Sequence, residues 1–158
     1  MSYRISPPLE AVVERIIDEI KRQMESRSYR AANELREAAL EVLRGQGSGK
    51  RYRVPGTYRR QRDEADGRMK NGRYYTASAP GQPPAARNGI FWKSWQSEAS
   101  ASSNTYISRI VSNLHVGRYV LGQLLEEGTS KMAPRPHHER ILEKAKEPIL
   151  RIYNEPYF

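Results

Sequence analysis

Apolar residues recur at Leu9, Val12, Val13, Ile16, Ile17, Ile20 and Met24. Intervals of three and four place them on one broad face, which predicts an amphipathic helix. Ser6-Pro7-Pro8 reads as its start, because a serine oxygen accepts from early backbone amides and proline tolerates the first turn. Ser26-Arg27-Ser28-Tyr29 weakens the stripe. It resumes at Ala31, Ala32, Leu35, Ala38, Ala39, Val42 and Leu43 and stops before Gly45 and Gly47. A single helix over 7–44 would be about 57 Å long, more than the diameter of a small domain. It is expected either to bend near 26–29 or to lie partly on a neighbouring subunit.

Beyond this helix the pattern shortens. Gly45–Gly49 reads as a flexible turn. Lys50–Val54 alternates basic and Tyr/Val residues like a short strand, and Arg73–Ser78 is its candidate return strand. Between them, residues 57–72 form a polar, Arg-rich loop closed by the hairpin-type pair Asn71-Gly72. The proline- and glycine-rich stretch 79–88 cannot be regular structure. Gly89–Ser97 holds Ile90, Phe91, Trp92 and Trp95 in a short aromatic helix or turn, with the two tryptophans at i, i+3 and facing one way. Ser100–Asn104 reads as a strand end and turn, and Thr105–Leu114 alternates as a strand. Tyr119–Glu127 is a short helix stopped by Gly128. From Pro136 to about Tyr153 the last helix carries Ile141, Leu142, Ala145, Ile149 and Ile152 on one face, with a kink expected at Pro148. No internal repeat is present. The predicted fold is a single α+β domain spanning 1–158. A long N-terminal helix and a C-terminal helix pack on a small antiparallel sheet, with extended loops.

Composition sharpens this picture. Leu, Ile, Val and Phe make up 29 of 158 residues, and residues 45–105 hold only Val54 and Ile90 of the Leu/Ile/Val set. The two ends can build a core; the middle needs Tyr and Trp packing or a partner to become ordered. Charge is uneven as well. The formal net charge is +9, and residues 50–73 alone carry nine basic and three acidic groups, a net +6. Such a segment meets polyanion, acidic protein or solvent. With no cysteine, disulfides and Cys-based zinc sites are excluded. No apolar run approaches the roughly 18 residues of a membrane span, and Met1–Pro8 has no signal-peptide stretch. The sequence reading is therefore of an intracellular soluble chain with no membrane partner.

Several segments form a recognisable series: Tyr75-Thr-Ala-Ser-Ala-Pro-Gly-Gln-Pro-Pro-Ala-Ala-Arg-Asn-Gly89, Trp92-Lys-Ser-Trp95, Tyr119-Val-Leu-Gly-Gln-Leu-Leu-Glu-Glu-Gly-Thr129 and Ser130-Lys-Met-Ala-Pro-Arg-Pro136. The series resembles the small head–tail connector or tail-completion (neck) proteins of long-tailed phages, typified by gene product ten of a lambdoid phage. It covers about residues 75–145 by motif and the whole chain by element order. The chain departs from the pattern at Asn88, Phe91 and His137-His138, at Gly122 or Gln123 where a second Tyr is usual, and in its long basic 55–72 loop. The resemblance implies a virion assembly protein, not an enzyme and without cofactor. Subunits would form a six- or twelvefold ring between head adaptor and tail tube, with double-stranded DNA in the lumen. It also implies interface or structural roles for Arg87, Gly89, Trp92, Ser94, Trp95, Tyr119, Glu126, Gly128, Thr129, Pro134, Arg135 and Pro136. The loops at 79–86 and 55–72 are the expected reaching elements.

Arg51, Arg53, Arg59, Arg60, Arg62, Arg68, Lys70 and Arg73, interleaved with Tyr52, Tyr58, Tyr74 and Tyr75, fit contact with DNA or an acidic partner. A basic nucleic-acid-binding module using residues 50–75 is thus the alternative function. His137-His138-Glu139 with Glu126, Glu127 and His115 raises a metal site. Adjacent histidines on a helix point about 100° apart and chelate poorly, so no metal is expected and the pair reads as exposed or capping. Glu126 and Glu127 read as a helix end with one Glu paired to an Arg such as Arg135, not as catalytic acids. Gly45–Lys50 superficially resembles a phosphate loop but follows a helix, the wrong context.

Overall fold

A computed structural model of the chain describes residues 7–45, 47–54, 61–62, 69–70 and 73–157. The stripe of apolar residues produces one helix, α1 (Leu9–Leu43), without a break at 26–29. Its start has no side-chain cap: Pro8 occupies that position, and Ser6 lies outside the described residues. The C-terminal half supplies the core. Ala31, Ala32, Leu35, Ala38, Ala39, Leu40 and Leu43 are all buried. Four of these seven are alanine, so the helix can be approached closely by its neighbours.

Those neighbours are α4 (His138–Tyr153) and the hairpin of β5 (Trp95–Ser102) and β6 (Thr105–Ser112). Ile141, Ala145 and Ile152 of α4 close the core from one side. The helix runs through Pro148 to Tyr153. The hairpin is fully paired from Trp95↔Ser112 to Ser102↔Thr105, with Ser103 and Asn104 as its two loop residues. The sequence reading placed residues 95–97 in an aromatic helix or turn. They belong to β5 because α2 (Ile90–Lys93) ends two residues before Trp95, with Ser94 between them. The Ser/Ala-rich run that follows has little strand propensity of its own and is held by its partner strand.

The weak point of the stripe proves to be a buried polar seam. Arg27 and Ser28 are both buried. The Arg27 guanidinium donates to the carbonyls of Tyr153 at 3.2 Å and Pro156 at 2.9 Å. It also lies 4.0 Å from the centre of the Tyr157 ring. Tyr153 ends α4, so the cation sits where the helix dipole is negative. Ser28 donates to the Ile107 carbonyl and accepts, at its own carbonyl, from Ser108 at 2.8 Å. These bonds fix the register of α1 against β6 and the C-terminal tail.

The basic hairpin predicted over 50–78 exists as β1 (Arg51–Arg53) paired with β4 (Tyr74–Thr76). Within its loop, β2 (Gln61–Arg62) pairs with β3 (Met69–Lys70); the Asn71-Gly72 turn signal lies outside the described residues. A last small ribbon joins β7 (His115–Val116) to β8 (Tyr119–Val120), which leads directly into α3 (Leu121–Glu127). Tyr119 and Val120 therefore lie ahead of the helix they were predicted to begin. The α+β class stands, built from two-stranded ribbons in place of one sheet.

Two loops expected to be free are pinned. The amides of Gly47 and Gly49 donate to the carbonyls of Thr76 and Ala77. A Cβ at Gly47 would lie 2.1 Å from the Ala77 carbonyl oxygen, so only glycine permits this approach. The 79–86 stretch is held by the Gln82 side chain, which accepts from the amides of Ala79 and Ser48 and donates to the Ser48 hydroxyl. Backbone bonds tie Gly81 to Pro134 and Ala86 to Gly45. This segment is thus part of the body and not a reaching arm.

Candidate functional site

Three surfaces carry the residues singled out in the sequence. The first is the junction between α3 and α4. Gly128 ends α3 with φ 78°, and a Cβ there would lie 2.7 Å from the Met132 carbonyl oxygen. The chain turns tightly beyond it, where Thr129 pairs with Met132 through amide–carbonyl bonds of 2.8 and 3.2 Å. It returns so that the Arg135 amide donates to the Leu125 carbonyl at 2.7 Å. The Arg135 guanidinium donates to the carbonyl of Ser78, and the exposed Pro134 receives the Gly81 amide on its carbonyl. Pro136 is half-buried between Arg135 and α4.

The sequence suggests that Glu126 or Glu127 pairs with an Arg such as Arg135; Arg135 instead bonds the Ser78 carbonyl, and Glu126 is used elsewhere. Its Oε2 accepts from the backbone amides of His137 at 2.9 Å and His138 at 3.3 Å. A carboxylate from α3 thereby caps the start of α4, where two unpaired amides and the positive helix end favour an anion. His137 is fully buried rather than exposed. Its Nδ1 lies 2.8 Å from Glu126 Oε2 and 3.0 Å from the Arg135 carbonyl oxygen. Both neighbours are acceptors, so Nδ1 carries the proton. The ring stands edge-on to Phe91 and Trp95, with centroids 5.7 and 5.9 Å away. Burial pushes the His137 pKa down, against the bond to the Arg135 carbonyl, which raises it.

The donor atoms of Glu126, His137 and His138 fall within 4.8 Å of one another. Adjacent histidines diverge by about 100° only where both are helical. His137 instead has φ −138° and ψ −23°, off the helix, which lets the two rings turn towards the same carboxylate. The capping geometry accounts for the grouping: Oε2 already accepts from two amides and faces the positive end of α4, which repels a cation.

Around this junction, Trp95 is buried and its carbonyl accepts from Arg36 Nε at 3.0 Å. Trp92 does not face the same way as Trp95, because α2 ends between them. It is half-buried under Arg44, whose guanidinium lies 4.6 Å from its ring centre. Ser94 bonds both the Phe91 carbonyl and the Ser112 hydroxyl, at 2.6 Å each, and locks α2 to β6. Gly89 precedes α2. Tyr119 is exposed and bonded to Arg118. Beside these residues opens a groove of about 390 Å³, lined by Leu43, Arg87, Ile90, Phe91, Trp92, Val116 and their neighbours. Nothing in the sequence pattern marks Leu43, Val116 and Leu121 as partners in one groove, since they come from three separate elements.

The second surface is the basic hairpin. Arg51 and Arg53 are exposed, and both guanidiniums flank the Tyr74 ring, at 4.7 and 5.4 Å from its centre. Tyr52 stacks on Tyr75 with centroids 5.9 Å apart, and Arg87 lies over Tyr75 at 5.8 Å. The rings are thus engaged with each other and with arginine. Arg73 sits on the return side next to β4. Arg62 and Lys70 are placed by their strands; Arg59, Arg60 and Arg68 lie outside the described residues.

The third surface is the first half of α1. Among the described residues, none before Arg27 is buried. Leu9 is 79% exposed, and Val13, Ile16 and Ile17 are 44%, 42% and 44% exposed. Among the described residues the C-terminal tail bonds α1 at Gln23 and Met24, through Tyr157. Also among the described residues, no helix is long and apolar enough to cross a membrane. Comparisons of the chain with protein-family models, with curated proteins and with solved structures return no match.

Proposed function

We propose that this chain is a structural subunit of the neck of a long-tailed phage, a connector or tail-completion protein that assembles as a ring and performs no catalysis. One observation carries the assembly reading: the apolar stripe on the first half of α1 is exposed, with nothing among the described residues to cover it. Residues 9–22 extend about 21 Å beyond the tail contacts at the helical rise. An apolar face of this kind marks a protein–protein contact. The motif series supports the neck assignment within that reading. Its Glu126, Gly128, Arg135 and Ser94 act as cap, turn, tie and lock, which are architectural duties.

In this reading, head-adaptor and tail-tube proteins are the neighbours above and below, the assembled chain resides in the virion, and DNA passes through the lumen. The exposed Arg51 and Arg53 favour a second reading, a nucleic-acid-binding module working through phosphates. Size-exclusion chromatography with light scattering, at low and high salt with the 260/280 nm ratio recorded, separates the two. A salt-insensitive mass of six or twelve subunits, free of nucleic acid, is expected. A monomer that carries nucleic acid and loses it at high salt would move the assignment to the binding module.

A further inference from the structure

The uncovered stripe and the open groove lie at opposite ends of α1. Leu43 forms the floor of the groove, and the stripe runs from Leu9 to Ile17. At the helical rise these are roughly 40–50 Å apart. One chain therefore cannot place its own stripe in its own groove.

Their shapes and charges match. The stripe is the convex face of a helix; the groove is concave, with an apolar lining that includes Ile90, Phe91, Trp92, Val116 and Leu121. Ile90 and Val116 remain 55% and 54% exposed at its rim. Residues 9–25 carry five acidic groups (Glu10, Glu14, Asp18, Glu19, Glu25) against three basic ones, a net −2. The groove is lined by Arg87 and by no acidic residue, and Arg44 and Lys93 flank Trp92 at 4.6 and 5.2 Å from its ring.

We infer that the first half of α1 docks in the α2–β7–α3 groove of a second copy of this chain. The contact is heterologous: each subunit offers one stripe and one groove, so subunits add head to tail and close into a ring when the rotation allows. Acidic side chains beside the stripe meet the basic rim and set the direction of the helix in the groove. This inference rests on the ring reading and specifies which surfaces make the ring.

Three proteins test it in light scattering: the wild type, the stripe variant Val13→Glu/Ile16→Glu and the groove variant Ile90→Glu/Val116→Glu. All four positions are exposed, so folding is expected to survive, and circular dichroism confirms it. The wild type is expected to be a ring and each variant a monomer. Mixing the two variants should give a dimer that grows no further, because only one intact stripe and one intact groove remain in the mixture. If the groove variant still forms the wild-type oligomer, the stripes pair with each other or elsewhere, and the docking is wrong while the ring reading survives. If the wild type is monomeric at every concentration tested, the self-assembly reading fails and the inference falls with it.

Discussion

At the scale of single residues, His137 is the clearest case of a side chain whose setting changes its chemistry. Its imidazole is sealed among Phe91, Trp95 and His138, with Nδ1 donating towards Glu126 and the Arg135 carbonyl. Nε2 has no hydrogen-bond partner among the described residues. Burial lowers its pKa below the ordinary value near 6.5. The unfolded chain therefore takes up a proton at a higher pH than the folded one does. The full stability is present above about pH 6.5 and is lost as the pH falls towards the folded pKa. Melting followed by circular dichroism should show Tm falling between pH 7.5 and pH 5. In His137→Phe the ring still fills the aromatic cage and Glu126 keeps both amides. Its slope over this window should be shallower than that of the wild type. An unchanged slope would assign the pH dependence to other groups.

At the scale of elements, the sequence disclosed what repeats and hid what is assembled from afar. The run of apolar intervals from Leu9 to Leu43 marked α1, and the 141–152 spacing marked α4. Gly128 marked a helix end. Ser100–Asn104 was legible as a strand end and turn, but residues 95–99 carried no strand signal, and only the pairing with Ser108–Ser112 makes them a strand. The cap from Glu126 to His137 joins residues eleven apart across a turn, a distance that no local capping pattern covers. Arg27 was visible only as an interruption of the stripe, although it occupies an inward position and holds the carbonyls beyond α4. It gives this scale its prediction. Arg27→Ala removes two charge-assisted bonds and a ring contact. A loss of about 2–3 kcal/mol is expected from such bonds, or roughly 4–12 °C in Tm for a chain of this size. Arg27→Lys keeps the charge but not the two-carbonyl reach and should fall between. A loss below about 0.5 kcal/mol in denaturant titration would show that the tail, and not Arg27, holds α4 to α1.

At the scale of the whole molecule, charge and hydrophobicity are segregated. The apolar stripe belongs to one end of α1, the core to its other half, and the basic excess to a hairpin joined to the body by β1 and β4. In the proposed ring such a separation would let the surface that meets subunits and the surface that meets phosphate be varied independently. The hairpin then predicts how any DNA contact behaves. Its exposed Arg51 and Arg53 offer cations, and contact made through them to phosphate carries no sequence preference. Each neutralised phosphate releases condensed counterion and contributes a slope of about −0.9 in log K against log salt. Six contacts from this segment would lower affinity on the order of a thousandfold between 50 and 200 mM salt. Arg51→Ser/Arg53→Ser removes two exposed cations while the β1–β4 pairing remains. It should reduce the slope by about 1.8, equally for unrelated duplexes, and leave the oligomeric mass unchanged. Fluorescence anisotropy with labelled duplex across a salt series measures the first effect and light scattering the second. A variant with the wild-type slope would place the DNA contact elsewhere, whereas one that also loses the ring would show that the hairpin joins subunits and that its charge serves an acidic neighbour.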